Sequence, residues 1–193
     1  MLTPQVEEVA APPPGLAMPT FVFTMLSGRG FRAMDPAFTG GKADPYLKFS
    51  VEPPNLLLAD KGSGSKLKTS IRPRTLAPKW TGEEVRVAVA AADHKSLESG
   101  GHVVIDVIDH DTLSMDDLMG TVVLSMADIV DGIDESGAFF FQAPVVKYGR
   151  THGVVAGAVE FLVPEGGKLP KRVFRPRAQT RAKKAEGCGC VVA

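Results

Sequence analysis

Apolar and polar residues alternate along this chain in short runs, with turn-forming residues between them. Thr20 to Leu26 sets Phe21, Phe23 and Met25 against Val22, Thr24 and Leu26, the two-residue period of a β-strand. The same signal returns in Tyr46 to Val51, Lys66 to Ile71, Glu84 to Val89, His102 to Ile108, Met119 to Leu124, Ala138 to Gln142 and Gly157 to Val163. In Glu84–Val89 it places Val85, Val87 and Val89 on one face. Pro53-Pro54, Gly62-Ser-Gly-Ser65 and Gly100-Gly101 punctuate the runs. About eight short strands with turns between them predict an all-β, antiparallel Greek-key sandwich. Short helical turns are expected near Asp93–Leu97 and Met126–Ile129.

Composition agrees. The chain has 193 residues, 44% of them hydrophobic and 23% charged, enough for one core with tails. The boundaries follow from local composition: a Pro-rich leader over 1–19, a folded domain over 20–164, and a polar tail over 165–193, both ends expected to be disordered. The first residues lack a basic segment leading into an apolar run, so no signal peptide is expected, and Leu2 excludes N-myristoylation. No apolar stretch reaches the ~20 residues of a spanning helix. Two cysteines, Cys188 and Cys190, are too few and too close together to staple a domain.

Net charge is zero, but its distribution is not even. From Lys168 onward eight bases (Lys168, Lys171, Arg172, Arg175, Arg177, Arg181, Lys183, Lys184) stand against one acid, Glu186, a net of +7. The first 167 residues hold the other 14 bases and 21 acids, a net of −7. An acidic body with a basic tail points to an anionic partner for the tail.

The connection after the fifth strand concentrates acid. Ile108-Asp-His-Asp-Thr-Leu-Ser-Met-Asp-Asp-Leu-Met-Gly120 puts Asp109, Asp111, Asp116 and Asp117 in one loop. Carboxylates this close repel one another unless a cation lies among them. Calcium, which takes roughly six to eight oxygens in flexible geometry, is the natural candidate. This segment resembles the third calcium-binding loop of C2 domains, D-x-D-x-x-S-x-x-D followed by two apolar residues and glycine, through Asp109, Asp111, Ser114, Asp117 and Gly120. Ala43-Asp44-Pro45-Tyr46-Leu-Lys resembles the S-D-P-Y-V-K of that family's first loop, and Leu76-Ala-Pro78-Lys-Trp80 with Glu83 and Glu84 resembles its L-N-P-x-W-N-E turn. The three motifs occur in the family's order over residues 20–164.

The resemblance implies a ligand set of Asp44, Asp109, Asp111 and Asp117 for two or three calcium ions. Asp35 would be the first-loop partner, although eight residues separate it from Asp44 where the family has about five. Asp116 would replace or supplement Asp117, with backbone carbonyls from Met34 and His110. It also implies lipid contact by the apolar loop residues Phe38, Leu113 and Met115, with ordinary loop packing as the alternative. Lys66, Lys68, Arg72 and Arg74 fall where the family often carries a phosphoinositide patch; a solvated basic strand face explains them equally well. Asp106, inside a strand, reads as an outward polar position or a local packing partner. One strand precedes the first loop and a strong strand closes the domain, which resembles the permuted (type II) C2 order.

The chain ends Cys190-Val-Val-Ala193, a C-a-a-X box in which alanine favours farnesyl. One lipid chain anchors weakly, and a second signal is needed. Cys188 is a candidate for palmitoylation, and the basic run would meet anionic lipid at roughly 1 kcal/mol per residue. The expected protein is therefore a monomeric, peripheral protein of the cytosolic face that binds anionic phospholipid in response to calcium. The alternative is a calcium-independent, membrane-tethered adaptor for a protein partner. A nucleic-acid role is not expected: the tail has a single aromatic, Phe174, and no recognition module. Catalysis is not expected either, because His94, His102, His110 and His152 fall in no triad or metal motif.

Overall fold

The computed structural model describes residues 19–33, 41–52, 67–89, 101–112 and 115–162. Among these are eight strands: β1 (Thr20–Arg29), β2 (Pro45–Glu52), β3 (Lys79–Trp80), β4 (Val85–Ala88), β5 (His102–Asp109), β6 (Asp117–Ser125), β7 (Ala138–Lys147) and β8 (Arg150–Leu162), with one helix, α1 (Met126–Gly132). Every pairing among them is antiparallel, in the order β2-β5-β6-β7-β8-β1-β3, with β4 also on β1. β6 and β7 share a single register pair, Thr121↔Val146. The path divides there into two layers, β2-β5-β6 and β7-β8-β1 with β3 and β4.

The alternation in the sequence shows which faces meet, except at the end of β1, where Leu26 and not Met25 joins Phe21 and Phe23 in the core and Met25 is exposed. Phe21, Phe23 and Leu26 of β1, Leu47, Phe49 and Val51 of β2, and Val103, Ile105 and Val107 of β5 are buried in one core. Phe23 joins the layers, with its ring 4.9 Å from Phe49 of β2 and 6.3 Å from Phe141 of β7. Tilted and edge-to-face aromatic packing of this kind adds to the burial of a large apolar area. Helix α1 caps the core with Met126 and Ile129, and the Ser125 side chain accepts the amide of Asp128 at its start.

The closing strand β8 pairs along β1 from Thr20↔Leu162 to Arg29↔Val154. The last strand thus completes the layer of the first, as the permuted order predicts. The pairing is broken once, between Thr24 and Ser27, where β1 bulges and Met25 takes φ 52°. Gly157 lies opposite: a Cβ there would come 2.9 Å from the Leu26 side chain and 3.1 Å from the Thr24 carbonyl.

Two expectations change. Of the strand expected over Lys66 to Ile71, the described residues Leu67 to Ile71 form no regular strand. They run beside β2 through one bridge, Lys48↔Lys68, and two amide bonds, Phe49 to Leu67 O (2.7 Å) and Thr69 to Leu47 O (2.9 Å). The Leu47 amide is taken by the Thr69 hydroxyl oxygen (2.9 Å) in place of a carbonyl, and the next amide bond, Arg72 to Pro45 O (2.9 Å), sets three residues of this segment against two of β2, so the regular ladder is lost. The Leu76–Trp80 turn instead contributes the short β3. The helical turn expected near Asp93–Leu97 lies outside the described residues.

Phe23→Ala would leave a cavity between the layers and should cost about 3–5 kcal/mol. A urea titration should show the midpoint falling with an unchanged slope.

Candidate functional site

The strand order decides where the acids go. β2, β5 and β6 are neighbours, and Pro45, Asp109 and Asp117 are register partners across them. Asp44 at the entry to β2, Asp109 at the exit of β5 and Asp117 at the entry to β6 therefore share one pole of the sandwich. Asp111 follows two residues after Asp109.

Asp109 is 2% exposed, and its Oδ1 accepts the amide of Asp44 at 2.6 Å. The His110 amide donates to the Asp44 carbonyl (3.1 Å), so the two connections are tied in both directions. Asp44 Oδ1 in turn accepts the amide of Arg74 at 2.6 Å, and Arg74 takes φ 53° there. A carboxylate that accepts backbone N–H groups is held in place, and such charge-assisted bonds are short and strong.

Asp116 is engaged through both oxygens. Oδ2 accepts from the Tyr46 hydroxyl (2.8 Å). Oδ1 meets His110 Nδ1 (2.8 Å) and the Asp111 amide (3.2 Å). The Tyr46 bond, followed by those from His110 and Asp111, holds the Asp116 carboxyl below its ordinary range. Burial first, then the bond to Asp116, pushes the Tyr46 hydroxyl up to about 12. His110 thus supplies a ring nitrogen to the loop, a role the sequence reading did not assign.

The turn motif acts as a clamp. Trp80, fully buried, donates its indole N–H to Ser70 O at 2.8 Å. Glu83 accepts the Ser70 amide (2.7 Å), the Ser70 hydroxyl (2.6 Å) and Arg72 Nη2 (2.5 Å). Leu76 and Pro78 carbonyls accept the amides of Phe31 and Gly28. The segment 67–83 therefore fastens the β1 exit and the β2 entry. Glu83 was legible only as part of a motif, since its partners are 11 and 13 residues away.

These contacts also recast the expected basic patch. Arg72 is paired with Glu83, and the Lys68 ammonium sits 5.7 Å from the centre of the Tyr46 ring. The open groove beside them, about 590 Å³, is lined by one lysine and three acids: Lys68 against Glu83, Glu84 and Asp116. Asp106 accepts the Thr121 hydroxyl across β5–β6 at 2.8 Å, a local packing partner. Met115 stands 89% exposed. Asp35, Met34, Phe38, Leu113, Lys66, Cys188, Cys190 and the basic tail lie outside the described residues.

The donors suit calcium in kind. Asp44, Asp109, Asp111 and Asp117 offer hard oxygens on neighbouring elements at one pole. In position they are incomplete: among the described residues no three carboxylates or histidines are gathered closely enough to hold an ion.

Comparison with known proteins places this architecture. A C2 domain family model matches residues 20–139. The fold is similar to that of a C2 domain of a plant Extended Synaptotagmin 1 (19% identity, TM-score 0.56, covering 77% of this chain and 96% of that one). It is also similar to human GIVD cytosolic phospholipase A2 (15%, TM-score 0.54, 77% of this chain), of which it spans 17%. A third likeness is to the paired C2 domains of Extended-Synaptotagmin 2, a calcium-bound structure (14%, TM-score 0.51, 76% and 46%). No curated protein sequence matches the chain.

The Asp116 network predicts a pH effect. A carboxyl whose pKa is lowered by folding stabilises the fold above its unfolded value. That contribution is lost as pH falls from about 4 downward. Asp116→Asn should flatten this acid limb of a stability–pH curve, and in Tyr46→Phe the Asp116 carboxyl should titrate closer to an ordinary aspartate by NMR.

Proposed function

The chain belongs to the C2 domain family, and on that footing we propose that it binds anionic phospholipid membranes in a calcium-dependent manner through the pole that carries Asp44, Asp109, Asp111 and Asp117. The observation that supports this reading is the three-strand register, which brings the acidic exit of β5 between the acidic entries of β2 and β6. Asp44, Asp109, Asp111 and Asp117, with Asp35 from the first loop, would hold the calcium. The bound ion would supply positive charge to lipid phosphate or carboxylate oxygens. Asp109 and Asp44, fixed by the amides they accept, would keep the connections in place, and exposed Met115 would meet the headgroups. A C2 domain is typically a binding module, and among the described residues no helix is long and apolar enough to cross a membrane.

The same reading extends to the ends of the chain. The leader 1–19 and the tail 165–193 flank the domain proposed over 20–164. The basic tail would add attraction to anionic lipid, and a prenyl group on Cys190, with palmitate on Cys188, would hold the protein at the cytosolic face. The second reading, a calcium-independent adaptor for a protein partner, is favoured by one observation: no ion-sized cluster of acids exists among the described residues.

Sedimentation of the full chain with phosphatidylcholine–phosphatidylserine vesicles separates the two. Calcium should raise the bound fraction roughly tenfold over chelator, as expected when a cation bridges acidic loops to acidic lipid. Asp111→Asn with Asp117→Asn should remove the increase while the protein stays folded, since neither carboxylate is buried. A flat calcium titration favours the adaptor. For the anchor, mass spectrometry of the protein from its native cells should find Cys190 as the prenylated C-terminus, without Val191 to Ala193; an unmodified Cys190 followed by Ala193 would remove it.

A further inference from the structure

The connection between β7 and β8 is two residues long. Lys147 pairs with Arg150 across it, and Tyr148 and Gly149 take φ of 51° and 71°. Two successive positive φ values make a type I′ turn, whose twist suits a hairpin and whose usual residues are Asn or Asp followed by Gly. Gly149 fits this rule and Tyr148 does not. A bulky side chain in the left-handed region is disfavoured against asparagine or glycine. The ring gains no burial in exchange, being 92% exposed, and its contact is with the Lys147 ammonium 5.6 Å from its centre. Folding alone gives no reason for this residue, and a strained, exposed side chain that persists points to a task.

The position of the turn suggests the task. Lys147 Nζ donates to the Leu118 carbonyl at 2.6 Å, one residue past Asp117, and Val154 of β8 pairs with Arg29 at the exit of β1. The hairpin tip therefore stands at the acidic pole, beside the β5–β6 connection. Beside it the large apolar side chains of Leu118 and Val146 are exposed, as is Met115 in the β5–β6 connection. From Ala143 to Val154 there is no acid, while Lys147 and Arg150 flank the tyrosine. An amphipathic aromatic between cations, next to exposed aliphatic groups, matches the headgroup layer of an anionic bilayer. There the ring is shielded from water, its hydroxyl stays hydrated and the cations meet phosphate.

We propose that the β7–β8 hairpin tip is a membrane-contact element, with the Tyr148 ring in the headgroup region of an anionic bilayer and Lys147 and Arg150 against lipid phosphates. It rests on the reading that the acidic pole faces a membrane. It adds a contact on the β7–β8 layer to the one proposed at the β2-β5-β6 edge, so that two layers of the sandwich touch the bilayer and the domain's tilt is set.

The test uses the full chain with Tyr148→Trp, calcium, and phosphatidylcholine–phosphatidylserine vesicles carrying brominated acyl chains. The single native tryptophan, Trp80, is fully buried and serves as the unquenched background. The new indole should shift to the blue and be quenched on vesicles. Tyr148→Asn should keep or raise the melting midpoint, because asparagine suits the turn, yet weaken vesicle binding roughly five- to tenfold through loss of the ring. Arg150→Gln should weaken it less. A Tyr148→Trp protein that sediments with vesicles and is not quenched, or a Tyr148→Asn protein that binds like wild type, overturns the hairpin contact and leaves the membrane-facing pole intact. A lowered midpoint in Tyr148→Asn assigns the ring to folding and also overturns it. Failure of the wild-type chain to sediment in calcium overturns the facing of the pole, and the hairpin contact with it.

Discussion

At the exit of β5 the carboxylate of Asp109 is almost wholly removed from water and accepts the amide of Asp44 from the neighbouring connection. Burying a charge is costly unless it is bonded, and a bond to a charged acceptor contributes roughly 1.5–3 kcal/mol. The contact therefore fixes two loops against each other. Asp44 passes the constraint on by accepting the Arg74 amide, and the Thr75 amide bonds Ala43 O beside it. The pole is thus built on acids that act as struts.

Two kinds of acid result. Asp109, Asp44 and Asp116 accept hydrogen bonds from backbone amides, a tyrosine or a histidine. Asp117, exposed, and Asp111, half-buried, sit at the same pole. An arrangement that spends some carboxylates on loop geometry can present others to a cation without reorganising the sandwich, and preorganisation of this kind favours binding. Glu83 does similar structural work on the flank, where it secures Ser70 and Arg72 and so removes one cation from the groove.

The hairpin at β7–β8 follows another logic. Its tyrosine occupies a conformation better suited to asparagine, at a place where the sheet would be equally well closed without it. Local conflict of this sort is expected where a residue serves a surface rather than the core. The cations beside it carry the opposite sign to the acids of the β5–β6 connection, so the pole is divided between an acidic edge and a basic, aromatic one.

Much of the fold was legible in sequence because strand alternation is local: Val85 and Val87, or Phe21 and Phe23, declare their face through neighbours two residues away. The acidic connection was legible as well, since Asp109 to Asp117 are contiguous. What tertiary structure alone decided was partnership over distance. Asp116 binds Tyr46 from 70 residues away, Asp44 holds an amide 30 residues on, and Arg72 turns from a surface charge into the partner of Glu83. Lys66 to Ile71 alternates like a strand, yet from Leu67 on it makes one bridge, because the Leu47 amide is taken by the Thr69 hydroxyl oxygen and the Arg72 amide reaches Pro45 O out of regular register. A two-residue period reports which face a side chain takes. It carries no record of which backbone lies beside it, and that neighbour is what selects the hydrogen bonds.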